Sequence, residues 1–166
     1  VDTANLPPTA HVGYLLRTSP DWEYVTWLRD NWQGNFIVKG ILRPEDAAQL
    51  DSLGVDAIWV SNHAGRQFDA SAASIDALPA IRAATKLPLI FDSGVEGGLD
   101  MLRARALGAD FVMMGRAFHY GLAAYGEVGA AHVIDILQKD MISCLHQIGH
   151  PSLADLSMQI FRASVA

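Results

Sequence analysis

Two patterns of apolar and polar residues alternate along the chain. Short continuous apolar runs give way to longer stretches in which apolar positions recur at helical spacing. The runs are Phe36-Ile37-Val38, Ala57-Ile58-Trp59-Val60, Leu89-Ile90-Phe91 and Phe111-Val112-Met113-Met114. Each is short for a buried helix, and the runs are rich in β-formers, so each predicts a strand. Helices are predicted between them. One runs from Pro44 to Leu53, ended by Gly54. One spans Ser74 to Thr85, with Pro79 in its first turn. One leads from Gly97-Gly98 through Leu107, ended by Gly108. Beyond the fourth run, Val133, Leu137, Met141, Cys144, Leu145 and Ile148 mark one apolar face of a longer helix, ended by Gly149-His150-Pro151. Ser152 to Leu156 reads as a last helical turn.

Ahead of the first strand, Ser19-Pro20-Asp21 reads as a helix start: Ser19 caps, Pro20 takes the first helical position, and an acid follows. Trp22, Val25, Leu28, Arg29 and Trp32 then recur at helical spacing and read as a core stripe, not a stacking platform. Residues 1–18, broken by Leu6-Pro7-Pro8 and Gly13, read as loop or as the cut end of something longer. Residues 19–156 read as one domain and 157–166 as a tail.

The β-then-α unit repeats in the letters themselves. Leu53-Gly54-Val55-Asp56 precedes one strand and Leu107-Gly108-Ala109-Asp110 another. Four such units with continuous apolar strands imply a parallel sheet covered by helices. Right-handed crossovers put all four carboxyl ends on one side. Lys39, His63, Arg66, Asp92 and Arg116 therefore converge, on the side where α/β sheets and barrels build their sites.

Composition narrows the function. The 166 residues suit one domain, 51% of them are apolar, and the net charge is −6, which argues against non-specific nucleic-acid or anionic-membrane binding. The one cysteine, Cys144, cannot form an internal disulfide and reads as core. No apolar run reaches the ~18 residues of a membrane span, and no signal peptide is visible. The expected location is cytoplasmic, with peripheral membrane attachment if electrons pass to a quinone. No metal site is expected.

Val60-Ser61-Asn62-His63-Ala64-Gly65-Arg66 carries the most chemistry. A base that titrates near neutrality sits three residues from a two-pronged cation, which suits a small acid: Arg66 holds a carboxylate while His63 moves a proton. An isolated His-x-x-Arg is more often a capped strand end, but polar residues at all four strand ends weigh against that. Asp92-Ser93-Gly94-Val95-Glu96-Gly97-Gly98 is a turn into a helix start whose N–H groups can point at an anion. Gly115-Arg116 adds bare backbone and a guanidinium at the next strand end, and together they suggest a phosphate grip. Lys39 reads as a fixed cation or a Schiff-base lysine, with Gly40 permitting close approach to the backbone.

Val38-Lys39-Gly40-Ile41-Leu42, Ser61 through Asp69, Asp92-Ser93-Gly94 and Gly115-Arg116 occur in an order and spacing that resemble the FMN-dependent α-hydroxy-acid oxidases and dehydrogenases, the family of glycolate oxidase and L-lactate dehydrogenase. The match covers roughly residues 20–156. The resemblance implies an FMN-binding (β/α)8 TIM barrel, of which this chain is the C-terminal half, the last four β/α units. It implies His63 as the base and Arg66 as the carboxylate clamp for a small 2-hydroxy acid. Lys39 would lie near the flavin N1 and C2 carbonyl, with Ser61 close by. Asp92, Ser93, Gly94 and Val95 would meet the ribityl–phosphate arm, and Gly115 and Arg116 the phosphate.

Two residues depart from the family pattern. Glu96 stands where the family commonly has Arg, and an acid beside a phosphate weakens the grip unless it points away. Ala64 replaces a usual Gly. The first four strands, with the family's catalytic tyrosines and the Asp that orients the His, have no counterpart here. The expected partner is that N-terminal half, and the complete barrel is expected to be a homo-oligomer. The rival reading is a non-catalytic half-barrel that binds phosphate or a partner.

Overall fold

The four apolar runs form one parallel sheet in the order β1-β2-β3-β4. These strands are β1 (Ile37–Ile41), β2 (Ala57–Val60), β3 (Leu89–Phe91) and β4 (Phe111–Val112). The computed structural model describes residues 20–154, 156 and 157. Helices α2 (Pro44–Ser52), α3 (Ser74–Ala84), α4 (Gly98–Ala106) and α5 (Arg116–Gln147) follow the strands in turn, and α1 (Trp22–Asn31) precedes them.

The chain divides into two units after Gly34. In the first, α1 is capped by Asp21, whose carboxylate accepts the Tyr24 N–H at 2.8 Å. The expected Ser19 cap lies outside the described residues. The expected core stripe is not a core: α1 contains no buried residue, and Trp27 and Trp32 are each 57% exposed.

The second unit holds the sheet. Register alternates its side chains between two faces. On one face Ile58 and Val60, with Leu89 and Phe91, are buried, and so are Leu50 of α2, Leu78 and Ile81 of α3 and Leu102 of α4. On the other, Lys39, Trp59, Ile90 and Phe111 form a row across the strands. That row is half-open or exposed, with Phe111 62% exposed, and so is Ile37 of edge strand β1. Parallel sheets are normally covered on both faces; among the described residues this one is covered on one.

Several elements differ from expectation, each for a local reason. β1 does not end at Val38 but runs on to Ile41, because Gly40 adopts φ +97° and forms a bulge that shifts the register between Lys39 and Ile41. The glycine serves that backbone conformation, and nothing presses against it. β4 stops at Val112, since its partner β3 has already turned off into the Asp92 loop. Pro79 lies in the second turn of α3, not the first, so the helix forgoes the hydrogen bond to Ile75. Helix α5 starts at Arg116, well before Val133, but is broken at Tyr125 and Gly126 (φ 60°). The break resets the helical phase, so the segment 116–124 shares no stripe with the buried Leu137 and Leu145. Residues 151–154 form bends and a turn instead of a helix, and Cys144 is half-buried with its Sγ 3.9 Å from Asp140. No helix among the described residues is long and apolar enough to cross a membrane.

Gly98 is where α4 meets α5. A Cβ there would collide with the Met141 backbone nitrogen. Gly98→Ala should therefore force the two helices apart and cost about 1–3 kcal/mol, read as a lower denaturant midpoint with an unchanged slope. An unaltered midpoint would mean that α5 shifts freely.

Candidate active site

The site grows from the carboxyl ends of β1, β2 and β3. Lys39 projects from the open face, its Nζ 4.6 Å above the Trp59 ring. Nζ donates to Ser61 Oγ at 2.8 Å and pairs with Asp92 Oδ2 at 3.0 Å. Ser93 Oγ donates to Asp92 Oδ1 at 2.8 Å. Three strand ends are thus tied together by one ammonium, one carboxylate and two hydroxyls.

The same hydroxyls hold the His63 turn. His63 and Ala64 both have φ 56° and Gly65 φ 72°, three consecutive left-handed residues. A non-glycine residue in that region costs about 1–2 kcal/mol, so neighbours must impose it. Ser61 Oγ accepts the His63 N–H at 3.2 Å, and Ser93 Oγ accepts the Ala64 N–H at 3.0 Å. The Asn62 amide anchors the far side of the loop to the Ala72 carbonyl at 3.1 Å. The turn leaves the His63 imidazole half-buried and the Arg66 guanidinium exposed.

A cleft of about 530 Å³ opens beside this turn. Lys39, His63, Arg66, Asp92, Ser93, Gly94, Val95, Gly115 and Arg116 line it, so nine of the ten sequence-derived site residues meet there. The tenth, Ser61, is 1% exposed and lies beneath the wall. Trp59, Met113, Met114 and His119 also line the cleft and were not singled out in the sequence. His119 follows Arg116 by three residues, a helical spacing that would have signalled it had the helix been expected to begin there.

The anion-binding end differs from expectation. Carboxylates already occupy part of the α4 N-terminus: Asp140 accepts the Gly98 N–H at 2.5 Å, and Asp100 accepts the N–H of Glu96, just ahead of the helix, at 3.1 Å. The α5 N-terminus has no side-chain cap, and a Cβ on its capping residue Gly115 would meet nothing. Glu96 does not point away; its Oε1 lies 3.8 Å from Arg116 Nη2 and offsets that charge. Lys39, Arg116 and the bare backbone of Gly94 and Gly115 form a donor set that fits the phosphate and the electron-accepting ring of a flavin nucleotide.

Burial alone would raise the Asp92 carboxyl. Hydrogen bonds from Ser61, Ser93 and Lys39, together with the Lys39 charge, outweigh it and hold the group below its ordinary value. A depressed carboxyl stabilises the fold fully above its unfolded pKa, and that contribution disappears as pH falls through the folded value. Asp92→Asn should therefore lower the denaturant midpoint by a constant amount from pH ~7 to ~5, and the gap should close as pH falls below the ordinary carboxyl range. An equal gap at every pH would mean that the charge contributes nothing.

Comparison with known proteins places this geometry. The family model "FMN-dependent dehydrogenase" matches residues 2–163. The chain is 47% identical over 152 residues to an L-lactate dehydrogenase of Serratia proteamaculans, covering 89% of this chain and 40% of the relative. It is 44% identical over 155 residues to a pre-mycofactocin synthase of Mycobacterium tuberculosis, covering 91% of this chain and 39% of that one. The solved structure of a soluble mutant of the membrane-associated (S)-mandelate dehydrogenase from Pseudomonas putida superposes with TM-score 0.82 at 38% identity, over 94% of this chain and 46% of that chain. A mutant flavocytochrome b2 with pyruvate bound gives TM-score 0.80 at 32% identity, over 86% and 38%. The chain spans about two fifths of the length of the curated relatives it matches. With four parallel β/α units of a TIM barrel and a cleft suited to the family's cofactor, FMN, it belongs to the FMN-dependent dehydrogenase family.

Proposed function

We propose that this chain supplies the C-terminal half of the active site of an enzyme that oxidises a small 2-hydroxy acid to the 2-oxo acid. One observation carries the reading. His63 and Arg66 line one cleft with Lys39, and the Arg66 guanidinium, unlike its backbone N–H, which donates to the His63 carbonyl, has no ion-pair or hydrogen-bond partner among the described residues. An uncommitted guanidinium beside an imidazole is suited to a substrate bearing a carboxylate and an adjacent hydroxyl.

Each residue has a role in this reading. Arg66 grips the substrate carboxylate through two parallel hydrogen bonds and so orients the α-carbon. His63 takes a proton from the substrate. Its left-handed turn, held by Ser61 and Ser93, fixes where the imidazole lies. Lys39, oriented by Asp92 and Ser61, places a positive charge where the flavin ring becomes negative on reduction. Gly94, Val95, Gly115 and Arg116 hold the ribityl–phosphate arm, and Asp92 and Ser93 support it. FMN, when bound, accepts the substrate's two electrons.

The partner is the complementary set of β/α units. The open row Lys39, Trp59, Ile90 and Phe111, the free edges of β1 and β4, and the share of the relatives that this chain spans all support that choice. Burying Ile37, Trp59, Ile90 and Phe111 is worth roughly 1.5–3 kcal/mol each, together on the scale of the net ~5–15 kcal/mol stability of a typical domain. Native mass measurement with flavin absorbance should show no stable FMN-loaded monomer for the 166 residues alone, and a loaded complex once the N-terminal half is added. A folded, yellow monomer would refute this partner.

In the complete barrel, Arg66→Lys should sharply lower hydroxy-acid turnover while FMN stays bound, because Lys keeps the charge but loses the fork. His63→Gln should remove roughly 10²–10⁴-fold of the turnover, again with FMN retained. Near-normal kinetics in the first variant would rule out the carboxylate role. Loss of flavin in the second would make His63 a cofactor residue.

A further inference from the structure

We infer that Trp59 is a positioning residue of the site: its ring face holds the Lys39 ammonium in place and so sets how readily a flavin bound beside that ammonium is reduced. The inference rests on the FMN reading above, which puts Lys39 next to the flavin ring, and adds the residue that acts on the flavin through Lys39.

Strand register brings the two side chains together. Lys39 of β1 and Trp59 of β2 are partners across the parallel pair, so both leave the open face of the sheet side by side. Register alone does not fix the charge, because a lysine ends in a flexible four-carbon stem with three rotatable donors. Three contacts fix it here. Ser61 Oγ accepts from Nζ at 2.8 Å, and Asp92 Oδ2 lies 3.0 Å away. Both acceptors stand just past the carboxyl ends of their strands, Ser61 after Val60 and Asp92 after Phe91. The third contact is the Trp59 ring, whose centroid is 4.6 Å from Nζ. That is inside the ~6 Å range over which the face of an indole attracts a cation. Two hydrogen bonds draw the ammonium towards the strand ends, and the ring supports it from beneath.

What Trp59 offers the site is its ring face. The residue is half-buried and lines the cleft beside Lys39, and its Nε1–H is buried without an acceptor among the described residues. A flavin gains negative charge on reduction, and a cation already in position stabilises that charge without having to move at that moment. Without the ring, Nζ keeps its two acceptors but gains room beneath it. The stem then samples more rotamers, and less of the charge stands where the reduced flavin needs it. Binding of the oxidised flavin, which lacks the added charge, depends on this far less.

The test uses the complete barrel loaded with FMN and equilibrated with a redox dye of known potential. The equilibrium constant for flavin reduction is read from absorbance, and affinity for oxidised FMN separately from fluorescence quenching. Trp59→Leu should lower that equilibrium constant about two- to tenfold, the scale of a cation–π contact, with oxidised FMN bound as before. Trp59→Phe, which keeps a ring face but removes the N–H, should stay near the wild-type value. Trp59→Met fills the space without a ring face; it should match Trp59→Leu, and it takes that variant's place if the leucine form does not fold. In a Lys39→Met barrel, Trp59→Leu should shift the constant no further, an outcome that a merely structural tryptophan would not give. The inference is overturned if Trp59→Leu and Trp59→Met keep the wild-type constant, if Trp59→Phe falls as far as they do, or if the shift persists in full without Lys39. A constant that responds to Lys39→Met but not to the ring at position 59 sinks this inference alone. Indifference to Lys39→Met, or failure of the wild-type barrel to bind FMN, sinks the underlying reading with it.

Discussion

Lys39 is the pivot of the site. Its ammonium is held between the Ser61 hydroxyl and the Asp92 carboxylate, with the Trp59 ring beneath. Parallel strands fix where their carboxyl ends lie, but not how the loops leaving them are aimed. Here the aiming is electrostatic. Asp92 stays ionised because Ser61, Ser93 and Lys39 all stabilise its charge, against the burial that opposes it. The two hydroxyls that serve Asp92 and Lys39 also accept the N–H groups of His63 and Ala64. One small polar lattice therefore orients the Lys39 ammonium and bends the loop that carries His63.

That arrangement explains why strain is tolerated at His63 and Ala64. Two non-glycine residues in the left-handed region oppose folding, and the hydrogen bonds from the lattice offset part of that cost. The conformation keeps the imidazole and the guanidinium on one side of a three-residue turn. In a relaxed extended loop, residues 63 and 66 would point apart.

The starts of α4 and α5 carry carboxylates as well as cations. Glycines at 97 and 98 allow α4 to lie close against α5, where Asp140 takes the Gly98 N–H. The packing that docks those helices thus places a carboxylate on the first N–H of α4, and Glu96 lies 3.8 Å from Arg116 at the start of α5.

Much of this was legible in the letters. The four strands, the four helices before β4 and the convergence of Lys39, His63, Arg66, Asp92 and Arg116 follow from local rules: apolar runs, glycine stops and the handedness of β-α-β units; the order of the strands came from the family resemblance. Those rules act over a few residues, so a linear reading captures them. What only the tertiary structure decided depends on contacts between segments far apart in the chain. Asp140 is 42 residues from the Gly98 it caps, and no periodicity points to it. The fate of the α1 tryptophans depended on what covers them, not on their spacing. The break at Tyr125-Gly126 reset the helical phase and hid both the true start of α5 and His119. Spacing along the chain determined which residues gather at the strand ends; competition among carboxylates, amides and cations in three dimensions determined which of them remain free to bind.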